Sequence, residues 1–267
     1  MVRRPAVAGT WYPGSAQGLK AMIQGFLDSE ASPKPALLAV SPHAGYIYSG
    51  AVAGKVFSRV SIPRKVVVAG VNHRGAGSSA ALMTQGTWET PLGSVKLDGE
   101  LGQELLGRCP LLDDDPKAHQ YEHSLELQVP FLQYFQNDLL LTPLALSFVS
   151  YDECLEIGRA LAESIRLQAE PVLMVASTDM THHEPAEAAR QRDMKALEQI
   201  LALNPKGLFE TVRHLGITMC GVLPTTVCLL AAKELGASRA ELVAYTNSGE
   251  ATGDFRQVVG YAGLIIN

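Results

Sequence analysis

The chain has 267 residues, of which 47% are hydrophobic and 18% are charged, a composition typical of a globular protein and not of a disordered or fibrous one. Its net charge is −5, and Lys and Arg cluster only as pairs, which excludes a broad basic surface and predicts no nucleic-acid partner. At this length we expect a single domain over residues 1–267.

Short apolar runs alternate with longer amphipathic segments along the chain, a pattern typical of parallel strands joined by helices. Their continuous hydrophobicity predicts an α/β domain with a largely parallel central sheet flanked by helices. An alternating segment around a Pro-Leu-Gly turn, residues 83–97, predicts an inserted hairpin. The predicted strands are residues 36–40, 65–70, 139–146, 171–176, 240–246 and 258–266. The predicted helices are residues 15–30, 50–60, 97–107, 122–135, 151–168, 184–203 and 221–235.

The N-terminal sequence and the cysteines bear on the cellular compartment. No continuous apolar stretch follows Arg3 and Arg4, so we expect no secretory signal and a cytoplasmic location. Residues 215–232 carry no charge, but their proline and glycines favour a buried core segment over a membrane span. The four cysteines form no Cys-x-x-Cys pair, so we expect free thiols and neither a zinc knuckle nor a thioredoxin-type motif.

Familiar nucleotide and hydrolase motifs are absent from the sequence. There is no P-loop, no Gly-x-Gly-x-x-Gly after a strand and no Gly-x-Ser-x-Gly elbow. Nucleotide binding and serine-hydrolase chemistry therefore lack support.

Histidines and an aspartate follow several of the predicted strands. His43 comes after the first strand and His73 after the second, each beside glycines, and Asp179 and His182 follow residues 171–176. The carboxyl ends of strands in an open α/β sheet share one edge, where ligands bind. We therefore expect these side chains to converge, with the first two strands adjacent. Surface or capping histidines are the alternative that spacing alone leaves open.

Two further positions are candidates for a metal ligand. Cys220 precedes a predicted buried helix, whose N-terminal dipole would favour the thiolate; an inert core cysteine is the alternative. His119 and His123 are four residues apart and would share one face of a helix. We interpret Glu122, His123 and Glu126 as a polar helix start that lines or supports a cleft. In this interpretation His123 contacts a ligand or substrate and does not bind the metal directly.

Six motifs occur in order along the chain: Ala6–Pro13, Pro42–Gly50, Asn72-His73, Glu122–Glu126, Ser177–His182 and Met219–Gly221. Together they resemble the MEMO family, also called the AmmeMemoRadiSam system protein B group. The resemblance implies a fold like that of class III extradiol dioxygenases, with a metal pocket at one edge of an α/β sheet. It also implies that His43, His73 and Cys220 hold a metal ion. Asp179 and His182 would lie beside that ion.

The ligand set that the resemblance implies differs from that of the dioxygenases, which use two histidines and a carboxylate. A thiolate shifts the preference towards copper, zinc or a more covalent iron site. The first hypothesis is therefore a metal-binding redox protein, related to extradiol dioxygenases, with iron or copper as the cofactor and zinc as a third choice. His182, oriented by Asp179, would be its general acid/base.

Two alternatives use the same pocket. One is a non-catalytic binding module for a phosphopeptide or other ligand, for which Arg74 alone is thin support. The other is a copper-handling protein. The resemblance also implies a pathway link to AMMECR1-type and radical SAM proteins, with a small molecule or peptide as the ligand. Aromatic residues that either line a pocket or simply pack are Trp11, Tyr12, Tyr46 and Tyr48.

Overall fold

Twelve strands form one mixed sheet in the computed structural model, which describes residues 1–267. The strands are β1 Val2–Arg3, β2 Leu38–Ser41, β3 Lys65–Val71, β4 Ala80–Leu82, β5 Thr87–Thr90, β6 Gly93–Leu97, β7 Asp113–Asp114, β8 Leu140–Leu146, β9 Val172–Ser177, β10 His182–Glu184, β11 Ala240–Asn247 and β12 Val258–Ile266. The helices are α1 Ala16–Phe26, α2 Tyr46–Phe57, α3 Gly99–Arg108, α4 Val129–Phe135, α5 Tyr151–Arg166, α6 Ala186–Leu201, α7 Pro205–His214, α8 Val222–Glu234 and α9 Gly249–Thr252.

The centre of the sheet is parallel. Strands β6, β8, β3, β9 and β2 run side by side in the same direction, and β12 continues the sheet antiparallel to β2. Every residue of β9 is buried, as expected of a strand that helices cover on both faces. The predicted α/β architecture with a largely parallel sheet is therefore confirmed.

Side chains of successive strand residues enter two separate apolar layers. Val67 and Ala69 of β3 pack in the layer that includes α5 and α8. Val66 and Val68 pack on the opposite face, with residues of α1, α2 and α4. This alternation is the two-residue period of a strand, and it packs β3 on both faces close to the point where His73 follows it.

The structure confirms the predicted hairpin and strands but corrects one neighbour relationship. Strands β5 and β6 pair antiparallel around the turn at residues 91–92. The expectation that β2 and β3 are adjacent is wrong, because β9 lies between them and pairs with both. The carboxyl end of β9, which Asp179 follows, therefore lies between the strands that precede His43 and His73.

The observed helices differ from the predicted ones in two places. The helix predicted over residues 122–135 begins only at Val129, after a 3₁₀ turn at Glu126–Gln128. Pro130 fits the first turn of a helix but not its interior. Before it, the Glu122 carboxylate accepts hydrogen bonds from the amides of His123 and Ser124. Helix α7 was not predicted, although Asn204 caps it and Pro205 is its first residue.

The uncharged stretch over residues 215–232 contributes most of α8. Its buried residues pack in the layer beneath β9 and β3, as expected of a core segment. None of the nine helices is both long enough and apolar enough to cross a membrane.

Candidate metal site

Three imidazoles converge at the carboxyl edge of the sheet. His43 follows β2, His73 follows β3, and His123 lies in the turn before α4. The ring centroids are 5.3 Å apart for His43 and His73, 5.6 Å for His43 and His123, and 4.6 Å for His73 and His123. One ligand atom from each ring lies within 4.8 Å of the other two. This histidine cluster can hold a metal ion, since neutral imidazole binds zinc, copper and iron.

Hydrogen bonds turn one nitrogen of His43 towards the cluster. The Ser177 hydroxyl donates its hydrogen to the carbonyl oxygen of Ser124 at 2.7 Å and accepts from Gln128 Nε2 at 2.8 Å. His43 Nδ1, 3.0 Å from the same hydroxyl oxygen, must therefore be the protonated nitrogen. Its Nε2 keeps a lone pair for a metal ion. Burial, aided by the neighbouring imidazoles, holds the pKa of His43 well below its usual range.

Glu122 organises the other two imidazoles. Its buried carboxylate accepts hydrogen bonds from His73 Nδ1 at 2.9 Å, from the His73 amide at 2.7 Å and from the His123 amide at 2.9 Å. Burial alone would raise the pKa of Glu122, but bonding to His73 and the charges of both imidazoles lower it to about 2. Burial lowers the pKa of His123 to about 4. A carboxylate behind His73 Nδ1 is the usual support of a metal-binding histidine.

Cys220 lies beside His43. Its Sγ is 3.3 Å from His43 Nε2 and accepts a hydrogen bond of 3.3 Å from the Asp179 amide. Gly221 allows this approach, since a Cβ there would lie 2.4 Å from the carbonyl oxygen of Ser177. Burial and the Asp179 charge raise the pKa of the Cys220 thiol well above its usual range, which opposes the effect predicted for the helix dipole.

Asp179 and His182 both lie near the cluster. The expected contact, in which Asp179 orients His182, is not present. Asp179 Oδ1 accepts a 2.7 Å hydrogen bond from the His43 amide. Burial raises the pKa of this carboxyl to about 7, although hydrogen bonds from the amides of His43 and Ala44 lower it. His182 Nδ1 instead lies 2.9 Å from the carbonyl oxygen of Thr218. A carbonyl can only accept, so His182 Nδ1 donates to Thr218. Burial lowers the pKa of His182, and in the neutral ring Nε2 is the unprotonated nitrogen.

An aromatic-walled cavity of about 750 Å³ adjoins the cluster, and none of the 14 residues that line it is charged. Trp11 connects the cavity to the cluster, because it lines the cavity and its ring centroid lies 4.4 Å from that of His123. Tyr12, Tyr48 and Tyr261 are also in the wall. Tyr46, in contrast, is buried and donates to a backbone carbonyl at 2.8 Å, so it packs in the core.

The structure separates the two histidines that sequence spacing paired. His119 is fully buried, and its Nε2 lies 3.1 Å from the carbonyl oxygen of Ala81. Because residues 119–125 form turns instead of a helix, His119 belongs to the core and His123 to the cluster. The position of Glu122 directly before His123 was the available signal, since a carboxylate beside a histidine commonly orients metal ligands.

The chain is similar to known proteins over nearly its full length. A family model described as Memo-like protein matches residues 3–265. MEMO1 family proteins of Aquifex aeolicus and Methanopyrus kandleri are 44% and 40% identical, over 99% of this chain and 98% and 99% of theirs. A crystal structure of an uncharacterized Escherichia coli K12 protein shares the fold with a TM-score of 0.57. It is 16% identical, over 84% of this chain and 98% of that protein.

Proposed function

The chain belongs to the Memo-like protein family, and on that basis we propose that it is a metal-dependent oxidoreductase for small uncharged aromatic molecules. The observation that carries the proposal is the convergence of three imidazoles beside a cavity without charged residues. His43 and His73 would hold the metal with His123 or Cys220 as a further ligand. A redox-active ion bound there would supply electron transfer and Lewis acidity.

The side chains around the cluster have defined tasks in this proposal. His182 presents an unprotonated Nε2, which suits it to take a proton from a phenolic hydroxyl group. Asp179 holds the backbone of His43, and so the position of that ligand. Thr10, Ser248 and Thr252 are among the residues that line the cavity, and they are its candidates to bond an uncharged polar substituent.

The cavity also favours a small molecule over a phosphopeptide. Phosphate recognition commonly relies on Arg or Lys side chains that bond its oxygens, and neither residue type lines this cavity. Arg74, the basic residue nearest to the cluster in sequence, is not part of the wall.

Oxygen uptake by the Fe(II)-loaded protein tests the proposal. The protein would be loaded under anaerobic conditions, its iron content measured, and a panel of catechols and small phenols added with O₂. We expect at least one compound to drive uptake above a free-iron blank. Loaded protein that gives none across the panel would contradict the enzyme, and tight phosphotyrosine-peptide binding would then favour the binding module.

A copper-handling role is the second candidate, favoured by the 3.3 Å approach of Cys220 Sγ to His43 Nε2. Replacing Cys220 by Ser removes a soft thiol donor next to the cluster, so Cu(I) and Zn(II) affinity should fall roughly tenfold or more, with smaller effects on Fe(II) and Mn(II). Competition with chromogenic chelators measures this. Cys228→Ser is the matched control, because Cys228 is a fully buried core residue of α8. Equal losses in both variants would remove Cys220 from the site.

A further inference from the structure

A buried ion pair lies one contact away from the histidine cluster. Arg3 of β1 bonds Glu126, and their side chains are 3% and 1% exposed. The Arg3 guanidinium also lies 4.4 Å from the centroid of the Trp88 ring. The desolvation free energy of two buried charges offsets much of their electrostatic attraction, so such a pair is weak evidence for stability. What the two side chains hold in place is more informative.

Arg3 holds the turn that carries His123. Its Nε donates to the carbonyl oxygen of His119 at 3.1 Å, and its Nη2 donates to the carbonyl oxygen of Glu122. Residues 119–125 belong to no helix or strand, so their buried carbonyl groups need partners from elsewhere. The planar guanidinium bonds both carbonyls and Glu126 at once, which the single ammonium of a lysine cannot match.

Glu126 holds the N-terminal segment that carries Trp11. Its carboxylate accepts hydrogen bonds from the amides of Ala6 at 2.7 Å and Val7 at 3.1 Å, and from the Tyr12 hydroxyl at 2.7 Å. Trp11 lies within this segment and packs against His123. The ion pair therefore joins the two irregular segments that form one side of the cluster and the cavity.

From these contacts we infer that the Arg3–Glu126 pair is a positioning device for the metal site. His43 and His73 each follow a buried strand of the sheet after one intervening residue, whereas no strand directly precedes His123 or Trp11. Through its bond to the backbone of Glu122, whose carboxylate orients His73, the pair holds His123 and Trp11 in position relative to His43 and His73. The inference rests on the proposed function, since it requires a metal ion at the cluster.

Cobalt(II) binding to Arg3 variants tests this role. Arg3→Met removes the charge and all the donors, and Arg3→Lys keeps the charge but cannot span both carbonyls. We expect each to lower Co(II) affinity by about 10- to 100-fold, as for other groups that orient metal ligands. We also expect the visible absorption of bound Co(II) to change, because it reports the coordination geometry. Affinity is measured at a temperature where circular dichroism shows each variant folded.

Lys65→Met is the matched control. Lys65 forms the chain's other deeply buried ion pair, with Asp98 at 3.3 Å and side chains 6% and 3% exposed, but it is the first residue of β3, at the opposite edge of the sheet. Its loss should lower stability while leaving Co(II) affinity within about twofold and the spectrum unchanged.

Three results would overturn the inference. Wild-type affinity and spectrum in folded Arg3→Met would show that the pair only stabilises the fold. Full wild-type behaviour of Arg3→Lys would show that the charge suffices, and this variant decides the matter if Arg3→Met does not fold. If the wild-type protein itself binds no Co(II), and His43→Ala is no different, the proposed metal site fails and the inference with it.

Discussion

His43→Ala is expected to lower metal affinity at least about 100-fold. Structural zinc sites with four ligands bind with roughly 10 to 16 kcal/mol, so one ligand accounts for about 3 kcal/mol, or more than two powers of ten. The backbone amide of His43 still donates to Asp179 in this variant, so the fold should persist. Chelator competition with Zn(II) measures the loss.

His214→Ala is the control for this prediction, because His214 is an exposed residue at the end of α7 and its replacement should leave affinity unchanged. The prediction fails if His43→Ala and His214→Ala bind zinc equally well. Such a result would mean that the ion binds outside the histidine cluster.

His182→Ala is expected to lower turnover about 10²- to 10⁴-fold, the usual contribution of a positioned general acid or base. The unprotonated Nε2 of His182 is the group lost, and metal content should remain close to that of the wild-type protein. Steady-state O₂ uptake with the best substrate of the panel, divided by bound iron, measures the effect. Asp179→Asn should cost less, because the amide oxygen can still accept the bond from the His43 backbone.

His183→Ala is the matched control for His182→Ala, since His183 is the exposed neighbour on the same short strand and should be nearly silent. Two outcomes count against the assigned role. Loss of metal in His182→Ala would show that His182 is a metal ligand and not a base. Wild-type turnover in the metal-loaded variant would show that another group accepts the proton.

The central strands and the placement of His43 and His73 could be predicted from sequence. Apolar runs identify strands that are buried on both faces, and the shared edge of their carboxyl ends is a property of the whole fold class. The order of strands across the sheet could not be predicted, because it depends on which face of the sheet each connecting helix crosses. Hence β2 and β3 were expected to be adjacent, while β9 lies between them.

The part of the site built from irregular segments was beyond sequence patterns. His119 and His123 have helical spacing, but the segment is a turn whose carbonyl groups bond Arg3. The Arg3–Glu126 contact joins residues 123 positions apart, and no local periodicity predicts such a pair. The thiol of Cys220 shows the same limit, because burial in the folded chain outweighs the helix dipole that sequence position indicates.

Anomalous diffraction from crystals of the metal-loaded protein tests the central claim most directly. The account predicts a single strong peak at about 2.0 to 2.3 Å from ring nitrogens of both His43 and His73, with His123 or Cys220 completing the set at a similar distance. The same map would decide between those two ligands. Stoichiometric metal with its peak elsewhere, and no density between the imidazoles of His43 and His73, would contradict the account.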